Sequence, residues 1–589
     1  MSKEQTSPAM SPYLHGAYLS SILGGEEETV DGEGLGRGES LLALAAEHIE
    51  VPTYPSTPPV STLPSELLSK IFLEVVDHPF TSPRSLPFKA AAVDLLSISS
   101  ASSTFRQVAT HDSALWAKVP FLNGINRNLL DLILRRSQQQ PLTLRFSEDS
   151  TLPGTVDIWS LIMTEYWRVA ALYIEVAESF EGIKSKTLLV MRSPALQYCF
   201  VKFHGQRNVR LDDLISNNLP PFGGEAPVLR SLDLTNCSLS PILFTFPTLT
   251  DLTVTCEGDT TTIRPFLLLQ DCIQWRYQIH FLRSLKLVHC ILPCNVAKFH
   301  ELLLGPPLHL PILEELVFAG SMEACYQLGS ILRIPDECTR DVTVKFHRDR
   351  QYESPDANIA ASASLVFIPT GVKYLECSVS IIEGAKAYLR LFRAGNKYET
   401  LSFDVAQLDF QIAGVISFLI AALSIPSLPI HPTSPTDLFL RLLFDGLSRQ
   451  LGPTLSSIPS LHLSFGIQSP APHILRGFLN SMARVQKLSV EHMDVWDNPC
   501  FLSYHAKGNF PRLKRLEVPL NESTTPATMI GLTAFLKHRI GMKGVLFKAS
   551  HAWVAEMGYA AVEEVPTIVG SLTEHFPPSI SVDWAEAWV

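Results

Sequence analysis

One short apolar phrase keeps returning along this chain, and it limits what the chain can fold into. It reads Leu-x-x-Leu-x-Leu or Val, often just behind a proline. A full copy is Pro227-Val228-Leu229-Arg230-Ser231-Leu232-Asp233-Leu234. Others begin at Leu249, Leu282, Leu313, Val485 and Leu513. Weaker copies occupy 196–200, 372–375, 398–403 and 461–465, with Leu172-Tyr173-Ile174 an early one. Within each copy apolar and polar residues alternate, as in a strand with one buried face. Helical stretches at 263–269, 296–304, 324–331, 438–447 and 473–482 lie between the copies.

The spacing is irregular, with the shortest intervals near the length of one leucine-rich repeat, ~20–29 residues. Repeats of this kind cannot bury their apolar side singly, so they stack into a continuous core with a long concave strand surface. The chain of 589 residues is also too long for a single core. The fold class expected is α/β, with residues 191–570 forming a divergent leucine-rich-repeat-like strand/helix solenoid. An ordinary α/β fold is the alternative. It would show glycine-rich turns from strand to helix, whereas these strands end in Asn236-Cys237, Cys256 and His289-Cys290.

Ahead of the repeats the composition changes twice. Residues 1–60 are rich in Ser, Pro, Gly and Glu and read as a disordered tail and linker, with one short helix over 40–50. Residues 61–121 read as a small all-helical module. Pro64 suits a first helical turn and Glu66 the positive end of the dipole. Leu67, Ile71 and Val75 recur every four residues, as do Leu68, Phe72 and Val76, giving a wide apolar stripe. A second helix is expected from Val93 through Val108, and Asp112 or Ser113 is placed to cap a turn carrying Leu115 and Trp116. Residues 122–190 form a helix-strand connecting region, and 571–589 a C-terminal segment.

Several classes are excluded. The net charge is −11, which argues against nucleic acid, because phosphate binding needs clustered cations. Lys345, His347, Arg348 and Arg350 are interrupted by Asp349 and read as a solvated loop. The run 412–425 is apolar but ends at Pro426, short of the ~20 residues of a membrane span, and reads as a buried helix. The 10 cysteines form no CxxC pair. With no apolar leader at the N-terminus, a reducing intracellular location, cytoplasm or nucleus, is expected. His289-Cys290, Cys294 and His300 lack the paired spacing of a zinc site and read as structural. No nucleophile elbow, phosphate loop, HExxH or kinase signature is present, so no enzyme, metal or cofactor is expected.

The helical module resembles an F-box. The resemblance rests on Leu63-Pro64-x-Glu66-Leu67-Leu68-x-x-Ile71-Phe72, then Leu95-Leu96-x-Ile98, Phe105-Arg106-x-Val108-Ala109 and Leu115-Trp116, in family order. It departs in a long loop over 77–92 and in Ser102-Ser103-Thr104-Phe105-Arg106, where the family has Cys-x-x-Trp-Arg. The downstream order is similar to the F-box family of mushroom-forming fungi: Leu134-Arg135-Arg136-Ser137, Pro141-Leu142-Thr143-Leu144, Tyr166-Trp167-Arg168-Val169, then the repeats. The resemblance implies a substrate receptor of an SCF-type cullin-RING ubiquitin ligase. It places Leu63, Pro64, Leu67, Leu68, Ile71, Phe72, Leu95, Leu96 and Ile98 against a Skp-type adaptor and through it a cullin. Phe105, Val108 and Trp116 then hold the module together, and the solenoid takes a protein substrate that the sequence does not identify. Three other readings stay open: a repeat scaffold without ubiquitin transfer, an enzyme with an unrecognised site, and a helical cap that buries the same stripe on the first repeat.

Overall fold

The computed structural model describes residues 63–77, 90–118, 127–148, 156–176, 183–204, 209–210, 221–224, 226–238, 246–257, 267–269, 279–345, 367–368, 372–382, 386–393, 398–404, 435–465, 475–491, 510–520, 526–537, 541–550, 569–570, 573–574 and 576–587. The tail expected over 1–60 and the helix expected within it, the apolar run 412–425 and the cluster His347, Arg348 and Arg350 lie outside these residues. The chain separates into two units, Met1–Leu63 and Pro64–Val589. Of the first, only Leu63 is described.

The second unit opens with five helices: α1 (Ser65–Asp77), α2 (Ala90–Ala101), α3 (Ser103–His111), α4 (Ser113–Lys118) and α5 (Arg127–Ser137). The expected helix from Val93 through Val108 is thus two. Ser102 ends the first and caps the second, its hydroxyl accepting from the Phe105 N–H at 3.1 Å.

Sixteen strands then build one sheet among the described residues. They are β1 (Leu142–Glu148), β2 (Val169–Val176), β3 (Tyr198–Phe203), β4 (Ser231–Thr235), β5 (Asp251–Thr255), β6 (Ser284–Val288), β7 (Glu315–Ser321), β8 (Thr339–Lys345), β9 (Glu376–Ile382), β10 (Lys386–Phe392), β11 (Tyr398–Asp404), β12 (Ser460–Phe465), β13 (Lys487–Val490), β14 (Arg515–Leu520), β15 (Gly544–Ser550) and β16 (Ser581–Ala587). From β1 to β8 and from β12 to β16 each strand pairs in parallel with the next in the chain. Stepwise parallel addition of this kind is the topology of a strand-repeat protein.

The middle departs from the pattern. β9, β10 and β11 form an antiparallel meander laid in reverse, so that β11 pairs with β8 and β9 with β12, both in parallel. β10 is the single strand that runs against all the others. The strand expected at 372–375 begins instead at Glu376. The helix expected over 263–269 is corrected by Leu267–Leu268, which pair in parallel with Ile291–Leu292. The sheet also reaches beyond 191–570, starting at Leu142 and ending at Ala587.

The alternation seen in the sequence becomes the core. Inward residues line up strand by strand, as in Leu232, Leu252, Leu285 and Leu316, and again in Leu234, Val254, Leu287 and Phe318. All eight are 1 % exposed or less. Each such side chain contributes roughly 1.5–3 kcal/mol by leaving water. The returning segments cover this layer through α6 (Val296–Leu304), α7 (Met322–Ile331), α8 (Pro435–Leu455), α9 (Arg476–Asn480) and α10 (Pro526–Lys537). Phe299, Leu328, Phe444, Phe478 and Phe535 join the same core. The expected helices at 296–304 and 324–331 stand, while that over 473–482 is shorter.

The Asn236 and His289 strand ends have a physical cause. Both residues sit at positive φ, 57° and 55°, a conformation that Asn and His tolerate better than most residues. At Asn236 the turn is also a clamp between repeats. Its Nδ2 donates to the Phe203 carbonyl at 2.8 Å, and its Oδ1 accepts from the Glu257 N–H at 2.6 Å. The cysteines that follow, Cys237 and Cys290, are fully buried.

One inward row contains a charged exception. Between Leu316 of β7 and Leu391 of β10 the row passes through Arg340 and Glu399. They are 3 % and 1 % exposed. Glu399 pairs with Arg393 at 2.5 Å. Arg340 donates to the Phe367 and Pro335 carbonyls at 2.9 and 2.6 Å, and Arg393 to Cys338 at 3.0 Å. This charged cluster lies where the meander joins the first eight strands.

Candidate functional site

Two surfaces carry the arrangement, one on α1 and one on the sheet. In α1 the two apolar stripes seen in the sequence separate. Leu68, Phe72 and Val76 face inward and are at most 3 % exposed. Leu67, Ile71 and Val75 remain 46, 44 and 43 % exposed, one turn apart along the same edge of the helix. The remaining helices hold α1 in place. Phe72 meets Phe105 edge-on at 5.1 Å, and the Ser69 hydroxyl donates to Asp112. Asp112 also accepts the Ala114 N–H at 2.9 Å and so caps α4. The Trp116 indole donates to the Ala109 carbonyl at 2.8 Å, with the Arg136 guanidinium 4.6 Å above its ring.

The nine residues expected on one docking surface therefore divide. Pro64, Leu67 and Ile71 are exposed, and Leu63 and Ile98 are half-buried. Leu68, Phe72 and Leu95 are buried within this chain, where the inward stripe of α1 packs on its own neighbours. Leu96 lies within α2. Of the three residues expected to hold the module, Trp116 is buried, and Phe105 and Val108 are half-buried. Val75 is not among the residues the resemblance places on that surface, although its four-residue spacing from Ile71 marks it.

The Trp-Arg segment proves to be a joint between the helices and the sheet. Arg168 is 3 % exposed. It bonds Glu165 at 2.6 Å, the Gln140 carbonyl at 2.7 Å and the Ser137 hydroxyl at 3.1 Å. A cation at the C-terminal end of α5 also meets the negative end of its dipole. Tyr166 donates to the Leu188 carbonyl at 2.5 Å, whereas Trp167 is 52 % exposed.

On the sheet, the row opposite the core is half-exposed and polar. Its ion pairs are mostly one-to-one, as in Lys202–Glu257 at 2.8 Å and Lys286–Glu315 at 3.5 Å. Asp233 sits in this row with its Oδ1 buried and without a hydrogen-bond partner among the described residues. Burial, reinforced by the Glu257 charge, pushes its carboxyl up to about 6 against the pull of Lys286 and Lys202. The thiols of Cys199, Cys325 and Cys377 are all raised by burial, which suits inert packing rather than nucleophilic use. Cys294 bonds Gln327 through its N–H and carbonyl, each at 2.8 Å. Among the described residues no group of three or more His, Cys, Asp or Glu is placed to hold a metal, and no helix is long and apolar enough to cross a membrane.

No protein-family model matches the chain, and no curated protein does. Among solved structures it is similar to the leucine-rich-repeat-containing protein LegL7 from Legionella pneumophila. That likeness has 13 % identity and a TM-score of 0.24, over 61 % of this chain and 84 % of the other.

Proposed function

We propose that this chain is the substrate-recognition subunit of an SCF-type cullin-RING ubiquitin ligase. Its helical module holds a Skp-type adaptor, and its strand repeats hold a target protein. The observation that carries the reading is the edge formed by Leu67, Ile71 and Val75, apolar and more than two-fifths exposed. It lies on the helix whose sequence resembles the opening of an F-box, and the module's own core is already closed by Leu68, Phe72 and Trp116. An aligned apolar edge on an otherwise finished module suits a partner. The long sheet supplies the second half: a rigid, half-exposed polar face suited to protein capture. Ubiquitin transfer then follows from proximity. A lysine of the held target experiences a high effective concentration of the charged carrier. The chain itself makes and breaks no bonds, so no resident cofactor or metal enters. A cytoplasmic or nuclear location goes with this role.

A second reading is a repeat scaffold without ubiquitin transfer, which the same stepwise parallel sheet would serve.

The test is co-purification of the full chain with a Skp-type adaptor and its cullin. Leu67→Asp with Ile71→Asp should abolish adaptor recovery. About half of each side chain remains to be buried, worth roughly 1 kcal/mol apiece, and each new carboxylate adds several kcal/mol of desolvation. The loss should exceed a hundredfold in affinity, with the circular dichroism spectrum unchanged. Equal recovery of wild type and variant refutes the adaptor reading. Adaptor bound without cullin supports the scaffold.

A further inference from the structure

The charge balance of the sheet's half-exposed row breaks down in one place. On β13, β14 and β15 three cations converge on one carboxylate. Lys487 lies 3.0 Å from Glu517, Lys548 2.8 Å and Arg515 3.6 Å. Glu517 is 5 % exposed, whereas Lys487, Lys548 and Arg515 are 42, 41 and 57 % exposed. The turns leading into these strands add more cations: Arg484, Arg512, Lys514 and Lys543 are exposed. The Lys543 N–H donates to the Lys514 carbonyl at 2.8 Å, which sets those two residues in adjoining turns. Lys487 and Arg515 stand directly opposite each other in the ladder. Like charges so placed destabilise a sheet, and Glu517 offsets only one of them. Acids at the margins among the described residues include Asp583 on β16 and Glu491, which pairs with His462 at 3.8 Å.

The buried carboxylate organises its surroundings. Burial acts to raise Glu517, but the hydrogen bonds from Lys548 and Lys487 and the charges of both outweigh it and hold the carboxyl below its usual range. Glu517 therefore stays ionised and fixes the two ammonium groups, leaving their remaining donors toward solvent.

We propose that this surface over β13 to β15 docks an extended acidic peptide segment of the partner held by the repeats. The inference rests on the reading of the repeat body as the partner-capturing part, and it names the chemistry captured. Three strands span only ~10 Å, which an extended peptide crosses in about three residues. Lys548 stands opposite Pro519, four positions past the Lys487–Arg515 rung, and all three cations converge on Glu517 between, so a short run of Asp or Glu lying obliquely over Glu517 would meet the three. A nucleic-acid backbone gains its affinity from a longer track of phosphate contacts than these three strands offer.

The test is fluorescence anisotropy of the full chain with a labelled twelve-residue Glu/Asp peptide. Binding should weaken at least tenfold between 50 and 300 mM salt and at least tenfold in Lys487→Gln/Arg515→Gln/Lys548→Gln. Because that variant leaves Glu517 buried without its partners, Lys514→Gln/Lys543→Gln serves as the second. Those positions are exposed, and affinity should fall about threefold with the thermal midpoint unchanged. Undiminished binding in both variants overturns the proposal, as does a DNA or RNA probe that binds more tightly than the peptide. Leu67→Asp/Ile71→Asp should keep peptide binding, and the glutamine variants should keep adaptor binding. The two readings therefore fail separately.

Discussion

Replacing Glu399 with leucine tests whether the charged step in the inward row works as a unit. The carboxylate is 1 % exposed and sits 2.5 Å from Arg393, whose side chain is 9 % exposed. Arg340, its neighbour in the ladder, is equally enclosed. Removing the carboxylate leaves two guanidinium groups in a low-dielectric layer without their counter-charge: Arg340 keeps the Phe367 and Pro335 carbonyls, and Arg393 those of Asp336 and Cys338. Loss of one partner of a buried ion pair costs about 3–5 kcal/mol. Adding Arg340→Leu removes one stranded cation and makes the row aliphatic from Leu316 to Leu391. It should recover part of the loss, although the Phe367 and Pro335 carbonyls then lose their donor. The double-mutant cycle should therefore show a coupling of at least about 1 kcal/mol. The assay is urea unfolding of wild type, both single variants and the double variant, followed by circular dichroism. A Glu399→Leu cost below about 1 kcal/mol, or strictly additive single effects, refutes the argument that the cluster acts as one buried charge network.

Further expectations follow from the same geometry. Phe72→Ala removes a core ring packed on Phe105 and should destabilise the helical module by roughly 3–5 kcal/mol, whereas Val75→Ala on the exposed edge should change its melting temperature little. Comparative thermal melts of the two variants check this. Asp233 titrates near 6 when folded, above its unfolded value. The stability it contributes is therefore complete below the unfolded value and is lost as pH rises through about 6. Asp233→Asn should be more stable than wild type at pH 7.5 by roughly 1–3 kcal/mol, with the difference shrinking toward pH 4 in unfolding measured across that range.

Much of the fold was legible because alternation is a direct imprint of burial. Leu232 and Leu234, or Leu516 and Val518, announce a strand with one inward face whatever lies around them. The reversal of β9 to β11 was not legible. Val379, Leu389 and Leu391 alternate with polar neighbours like any other strand residues, and alternation says nothing about chain direction. β15 and β16 are not legible in the sequence, because Gly544-Val545-Leu546-Phe547 and the stretch before Trp584 lack the leucine lead of the other copies. On α1 the spacing revealed two apolar stripes but not which one the protein covers. Leu67 and Leu68 are the same residue type, one position apart, and only the packing of α1 on α2, α3 and α4 distinguishes them. The split between α2 and α3 depended on a single serine hydroxyl.

The backward-laid meander also has a temporal consequence. As the polypeptide emerges, strands one to eight can each find their neighbour at once. The ninth cannot, because its place in the sheet lies three positions beyond the growing edge, and the two left open between them close only when the chain doubles back twice. The later strands take the ninth as their template, so two arrays can grow separately. They become one body when Arg340 and Glu399 come together across the seam.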